Sequence, residues 1–229
     1  MVKRILIFFL SCILPLALGL LIARCEIIAN ENNAARYFQD RPEPVDIEAA
    51  ESLKPGDSVY FGEYSGNPLA WRVLEQDGGT ALLITELCVA KRPFNDRRAP
   101  AVWETSDLRE WLNNDFYNSA FTEAQKSCIT VTDTAAEGPV TSGDKIFLLD
   151  PREAGFYFAD NTERLTLFEG KTASWWLRTA GIGKYTVYTV SYNGRVDRAT
   201  DEYPFAYVES KGVGVRPVLR YRYPAGPGG

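Results

Sequence analysis

The chain of 229 residues contains no histidine and a single methionine. Without histidine there is no Ser-His-Asp or Cys-His pair and no histidine-ligated zinc or iron. Cysteine is scarce too: four residues, at 12, 25, 88 and 128, with no C-x-x-C or other close pair. That excludes a four-cysteine zinc site and a thioredoxin-like redox motif. Basic residues are in deficit, 25 Lys and Arg against 30 Asp and Glu, giving a net charge of −5 and a pI of about 5.0. Nucleic acid is therefore not an expected partner, since its binders carry a basic footprint. Internal repeats at solenoid spacing are missing, as is any S-x-x-K or G-x-S-x-G in a strand–turn–helix setting. Gly181-Ile182-Gly183 is too short to cradle a phosphate. No catalytic residue, metal ligand or cofactor site is expected.

What is present is ordinary for a globular protein: 45% hydrophobic, 24% charged and 13% aromatic residues. Lys3 and Arg4 precede nineteen uncharged residues, Ile5 to Ala23, ahead of Arg24. As a helix that run reaches about 28 Å, close to the hydrocarbon thickness of a bilayer. The basic flank places the amino terminus inside and the rest outside. Residues 1–24 thus read as a signal anchor or a signal peptide, with contact to the membrane through residues 5–23. The protein is then single-pass with its domain outside the membrane, or secreted if the segment is cleaved. Arg24 argues against lipid modification of Cys25, because a small residue should stand there. Residues 1–24 hold three basic residues and no acidic one, so setting them aside moves the net charge from −5 to −8.

Residues 25–53 are polar and read as a spacer, kept extended by Arg-Pro-Glu-Pro. Lys54-Pro55-Gly56-Asp57 is turn chemistry and opens the domain, residues 54–222. Ser58–Tyr64, Leu69–Leu74 and Thr80–Val89 predict an antiparallel meander. Thr105-Ser106 caps a short helix through Leu108, Trp111 and Leu112; Thr122 to Gln125 predicts a capping box before a second. Lys145–Leu149 predicts a strand, and Asp150-Pro151-Arg152-Glu153 starts a helix through about Tyr157. Ser174–Arg178 predicts a strand. Thr186–Tyr192 and Arg195–Arg198 flank Asn193-Gly194, the signal of a hairpin with a type I′ turn. Val213–Tyr221 predicts the last strand, with Pro217 at an end, an edge or a bulge. Residues 223–229 read as a disordered tail. The fold class is α+β, mainly antiparallel, with short helices and long loops, preceded by one hydrophobic helix.

Six segments in order carry a resemblance: Gly56-Asp57 with Val59-Tyr60-Phe61-Gly62; Trp71-Arg72-Val73-Leu74; the run Trp103 to Asn113 (WETSDLREWLN); Lys145 to Leu149; Trp175-Trp176-Leu177-Arg178-Thr179-Ala180-Gly181; and Gly214-Val215-Arg216-Pro217-Val218-Leu219. Over about residues 54–222 they resemble a bacterial family of surface-associated domains of unknown function. That family is similar in fold to C-type-lectin-like domains and to the formylglycine-generating, sulfatase-modifying proteins. The resemblance implies a looped C-type-lectin-like domain whose termini meet in one sheet, and no activity. The copper-binding cysteine pair of the formylglycine-generating family has no counterpart after Trp175, and the Glu-Pro-Asn and Trp-Asn-Asp signatures of calcium-dependent lectins do not occur.

Trp175, Trp176, Arg178 and Arg216 are expected as a structural motif, with a sugar-stacking platform as the other reading. The loop-rich stretch Gly181–Gly212 offers Tyr185, Tyr188, Tyr192, Asn193, Arg195 and Asp197 as ligand-binding residues, with Asp201, Tyr203 and Tyr207 nearby. Rigid tyrosines beside small polar residues give contact area at low entropy cost. Asp197, Asp201 and Glu202 have no recognised calcium spacing. Cys88 and Cys128 can form a disulfide in an exported protein or serve as two small buried hydrophobes. The expected function is a non-catalytic extracytoplasmic module that recognises a glycan or a protein. The alternatives are an envelope-glycan hydrolase using two carboxylates and a structural subunit of an envelope assembly.

Overall fold

The computed structural model describes residues 21–25, 28–29, 31–50, 52–134, 143–197 and 207–224. The chain divides into two compact units, Met1–Asp40 and Arg41–Gly229. In the first, residues 21–25, 28–29 and 31–39 are helical. Among the described residues no helix is long and apolar enough to cross a membrane. Most of the expected hydrophobic helix, residues 5–20, lies outside the described residues.

The second unit is a mixed α+β domain built on two sheets. Its strands are β1 (Val45–Asp46), β2 (Ser58–Tyr64), β3 (Asn67–Asp77), β4 (Thr80–Thr85), β5 (Ala90–Lys91), β6 (Ile129–Thr130), β7 (Leu167–Phe168), β8 (Lys171–Thr172), β9 (Trp175–Ala180), β10 (Val187–Val190), β11 (Val196–Asp197), β12 (Gly214–Val215) and β13 (Val218–Arg222). The six-stranded sheet runs β1-β2-β3-β4-β13-β6 and the five-stranded sheet β11-β10-β9-β12-β5, while β7 and β8 pair alone. All pairings are antiparallel except β1 with β2 and β12 with β9. The carboxyl-terminal strand β13 lies in the same sheet as β1 and β2.

Strand β4, inside the six-stranded sheet, is buried on both faces from Ala81 to Thr85, which is why it reads as an apolar run. On one face, Trp71 and Phe61 stack with Phe121, which follows the helical stretch 107–120. On the other, β3 presents Arg72 and β4 presents Ile84, paired in register and both buried. The two sheets share one chain at Arg216-Pro217, where β12 ends and β13 begins. Pro217 has no N–H to give a ladder, and its carbonyl accepts the Thr85 N–H at 3.0 Å. The single strand expected over Val213–Tyr221 is therefore two strands in two sheets.

Four further segments differ from expectation. Arg41 to Leu53 belongs to the domain rather than to a free spacer: β1 extends the sheet, Ile47 and Leu53 are buried, and Arg41 reaches Glu86 at 2.6 Å. Lys145–Leu149 is not a strand but a buried extended segment with one bridge, Phe147 to Val218. The Leu149 carbonyl accepts the Arg178 N–H, and other polar groups of the segment are met by side chains. Asn113 Oδ1 accepts the N–H groups of Lys145 and Ile146, and Arg178 donates to the Leu148 carbonyl. The helix begun at Ser106 continues past Trp111 as a π-turn, Leu112–Phe116, then Tyr117–Ala120. At the carboxyl end Tyr223 donates its N–H to Gly79, so order runs past the expected domain limit, and residues 225–229 lie outside the described residues.

Cys88 and Cys128 are free thiols, so of the two readings open in the sequence the disulfide is not formed. Cys88 is buried against Gly214 of the five-stranded sheet, while Cys128 caps the helix Glu123–Ser127 beside β6 of the other. Burial pushes the Cys88 thiol up to about 11, outweighing the opposing effects of Arg216, Thr166 and Lys91.

Candidate binding face

The most distinctive motifs turn out to be internal fastenings. From WETSDLREWLN, three residues converge on Asp144, a fully buried carboxylate. Arg109 Nε lies 2.6 Å from Oδ1, Trp103 Nε1 donates to Oδ2 at 2.8 Å, and Asn113 Nδ2 approaches Oδ1 at 3.4 Å. Thr134 Oγ1 completes the set at 2.5 Å. In WWLRTAG, Trp175 and Trp176 are both fully buried, and their indole N–H groups donate to the Arg164 and Arg92 carbonyls. Neither ring has a face left for a sugar, so the stacking-platform reading of these two falls. Arg178 forks onto Asp150 and Glu153, the two carboxylates of the capping box that opens the helix Pro151–Phe156. Arg216 is buried, donates to the Thr85 carbonyl, and lies over the rings of Phe158 and Trp175 at 5.3 and 5.2 Å.

The six expected ligand-binding residues are spread along the β10–β11 hairpin. Tyr192, Asn193 and Arg195 form the turn joining β10 to β11, and Tyr185 lies beyond the other end of β10. The four strand residues between them span about 13 Å. Tyr188, half-buried, sits within β10, and Asp197 in β11 pairs in register with Thr189. The turn is not type I′, which needs positive φ at both central residues. Only Gly194 is in the left-handed region, at φ +80. Gly194 donates its N–H to Ser191, and Ser191 donates its own to Arg195, the pattern of a type I turn followed by a glycine bulge. Asn193 Oδ1 is occupied by Ser191 Oγ and the Arg195 N–H. Gly194 itself is pressed against the Asn161 carbonyl, and Arg164 Nε donates to the Gly194 carbonyl at 2.8 Å. This end of the hairpin is packed at Gly194, while Tyr192 and Arg195 are exposed.

At the other end of β10, three separate segments are tied together through the backbone. Ala101 N–H bonds Lys184, Val208 N–H bonds Tyr185, Asn95 N–H bonds Val208, and Thr186 bridges Tyr207. On the face they form, the Arg98 guanidinium lies over Tyr185 at 4.6 Å and over Tyr207 at 5.1 Å from the ring centroids. Its Nη1 donates to Glu209 Oε1 at 2.9 Å. The Arg98 side chain is nonetheless 54% exposed. Two large apolar residues on the adjoining segments are exposed, Val102 at 41% and Ile182 at 67%. Tyr185 and Tyr207 are visible in the sequence as tyrosines of the loop stretch. Arg98 and Glu209 are not, since nothing local marks a residue 87 positions upstream of Tyr185 as its neighbour. Asp201, Glu202 and Tyr203 lie outside the described residues.

Four shielded carboxylates pair with arginine: the buried Glu86 with Arg41, and the half-buried Glu163 with Arg72, Glu209 with Arg98, and Glu75 with Arg220. Tyr157 also donates to Glu75 at 2.6 Å, and burial with that carboxylate pushes its phenol well above the usual range. Among the described residues no group of three or more cysteine, aspartate and glutamate side chains could hold a metal ion.

Residues 78–220 match DUF6273, a domain of unknown function. No curated protein and no solved structure matches the chain.

Proposed function

The chain belongs to the DUF6273 family, and we propose that it is a non-catalytic binding module that recognises a glycan or protein ligand outside the cell. The observation that carries this reading is the face around Arg98, Tyr185, Tyr207 and Glu209. Aromatic rings, a charged pair and exposed apolar side chains sit there on loops of the five-stranded sheet, the arrangement in which scaffolds commonly present a binding surface. The looped α+β domain, with its amino- and carboxyl-terminal strands in one sheet, supports a C-type-lectin-like fold for residues 54–222. The basic flank and apolar run of residues 1–24 support an extracytoplasmic placement, on a signal anchor or after its cleavage.

A hydrolase reading has less support. A general acid on a glycoside needs a raised pKa, which an apolar setting provides. Here Glu75, Glu86, Glu163 and Glu209 are each engaged by an arginine rather than set in an apolar pocket. The test is a binding screen of the full chain against envelope glycans and envelope protein extracts, with Tyr185→Ala/Tyr207→Ala beside it. The proposal expects a hit that the double variant loses. Turnover of a glycan without stable binding would replace it with the enzyme reading.

A further inference from the structure

Arg98 occupies a site whose chemistry is that of a cation receptor. Two tyrosine faces approach the guanidinium at 4.6 and 5.1 Å, and a carboxylate closes a third side at 2.9 Å. Tyrosine faces carry negative potential and, with an acid beside them, form the cages that hold ammonium and guanidinium groups. The Tyr185 ring attracts a second cation as well, Lys184 Nζ at 5.4 Å. Glu209 has capacity left: Oε1 takes Arg98, while Oε2 is buried with no hydrogen-bond partner among the described residues.

We propose that Tyr185, Tyr207 and Glu209 form a receptor for a guanidinium or ammonium group on a protein partner, and that Arg98 is a tethered occupant that the partner's cation displaces. This rests on the binding-module reading and narrows its ligand to a basic protein segment. Two observations favour displacement over a permanent staple. With 54% of its side chain exposed, Arg98 is held by an ion pair and cation–π contacts of the weak, solvent-screened kind. The chain's net charge of −5 also attracts a cationic partner and disfavours a polyanion. Val102 and Ile182, exposed on the neighbouring segments, offer apolar contact to residues flanking the incoming cation.

The experiment titrates the full chain with an acetylated, amidated hexapeptide of alternating glycine and arginine. A matched peptide carrying citrulline, the neutral isostere, is the control. Arg98→Ala is expected to bind the arginine peptide at least ten-fold more tightly than the parent and to leave the citrulline peptide unbound. Adding Tyr207→Ala or Glu209→Gln should remove that gain. Arg97→Ala deletes an exposed neighbouring charge without emptying the cage, and should bind like the parent. Arg98→Gln keeps much of the side-chain stem and serves if Arg98→Ala fails to fold. Equal binding by the parent and both Arg98 variants would overturn the inference, as would an equal gain in Arg97→Ala. A glycan whose binding needs Tyr185 and Tyr207 and is lost in Arg98→Ala would overturn it too, while leaving the binding-module reading in place.

Discussion

Arg109 Nε lies 2.6 Å from the Oδ1 of Asp144, thirty-five positions away and wholly out of solvent. That pair, with Trp103 and Asn113 closing on the same carboxylate, explains what the WETSDLREWLN motif is for. It anchors the helical stretch to the chain before Lys145–Leu149, so that Asn113 can serve the Lys145 and Ile146 N–H groups. Removing Asp144 leaves the Arg109 cation in a poorly solvated site without its counter-charge. Asp144→Ala is expected to cost about 3–5 kcal/mol in urea unfolding. A cost below about 1 kcal/mol would mean that the network adds little.

Gly194 permits the hairpin to dock. A Cβ there would run into the Asn161 carbonyl, and φ +80 disfavours any L side chain. Gly194→Ala should destabilise by about 2–4 kcal/mol, strain and clash together. Gly78→Ala, at φ +50 with open space around it, should cost about 1 kcal/mol. Thermal unfolding of the two variants checks the difference.

Alkaline pH should weaken the fold. Cys88 holds its proton up to about 11 in the folded chain, against 9.0 without burial. Between these values the unfolded state has lost the proton while the folded state keeps it, so stability falls as pH rises from 9 to 11. Over that window the loss from this group is on the order of 2 kcal/mol. Tyr221, pushed up to about 12 by burial, continues the decline above pH 10. Cys88→Ala should flatten the part of the profile between 9 and 11, as followed by urea midpoints.

The thiols give a separate check. Site-resolved labelling of the native protein at pH 8 should modify Cys128, which is partly exposed, and spare Cys88 until the chain unfolds. A Cys88–Cys128 disulfide in the purified protein would protect both and contradict the free thiols.

Much of the domain is legible in the sequence because local chemistry writes it there. Asp150 and Thr122 both form capping boxes, and Ser58–Tyr64 is a strand over its whole expected range. Sequence reading fails where a distant side chain replaces a local partner. Lys145–Leu149 has the composition of a strand, yet Asn113 and Arg178 take hydrogen bonds that a neighbouring strand would otherwise make. Asn193-Gly194 is a hairpin signal, but docking on Asn161 and Arg164 selects a type I turn with a bulge. The site is legible only in part for the same reason. Tyrosines in a loop stand out, whereas an arginine from another loop, held between two of them, depends on how the segments come together.

The most direct measurement of the binding-module account compares two double variants of the full chain against whatever ligand the screen returns. Tyr185→Ala/Tyr207→Ala removes both rings from the face around Arg98, and Tyr192→Ala/Asn193→Ala alters the docked turn at the far end of β10. The account predicts that the first variant, still cooperatively folded, loses affinity at least ten-fold while the second binds like the parent. Loss of binding only in the second variant would move the site to the turn and contradict the account.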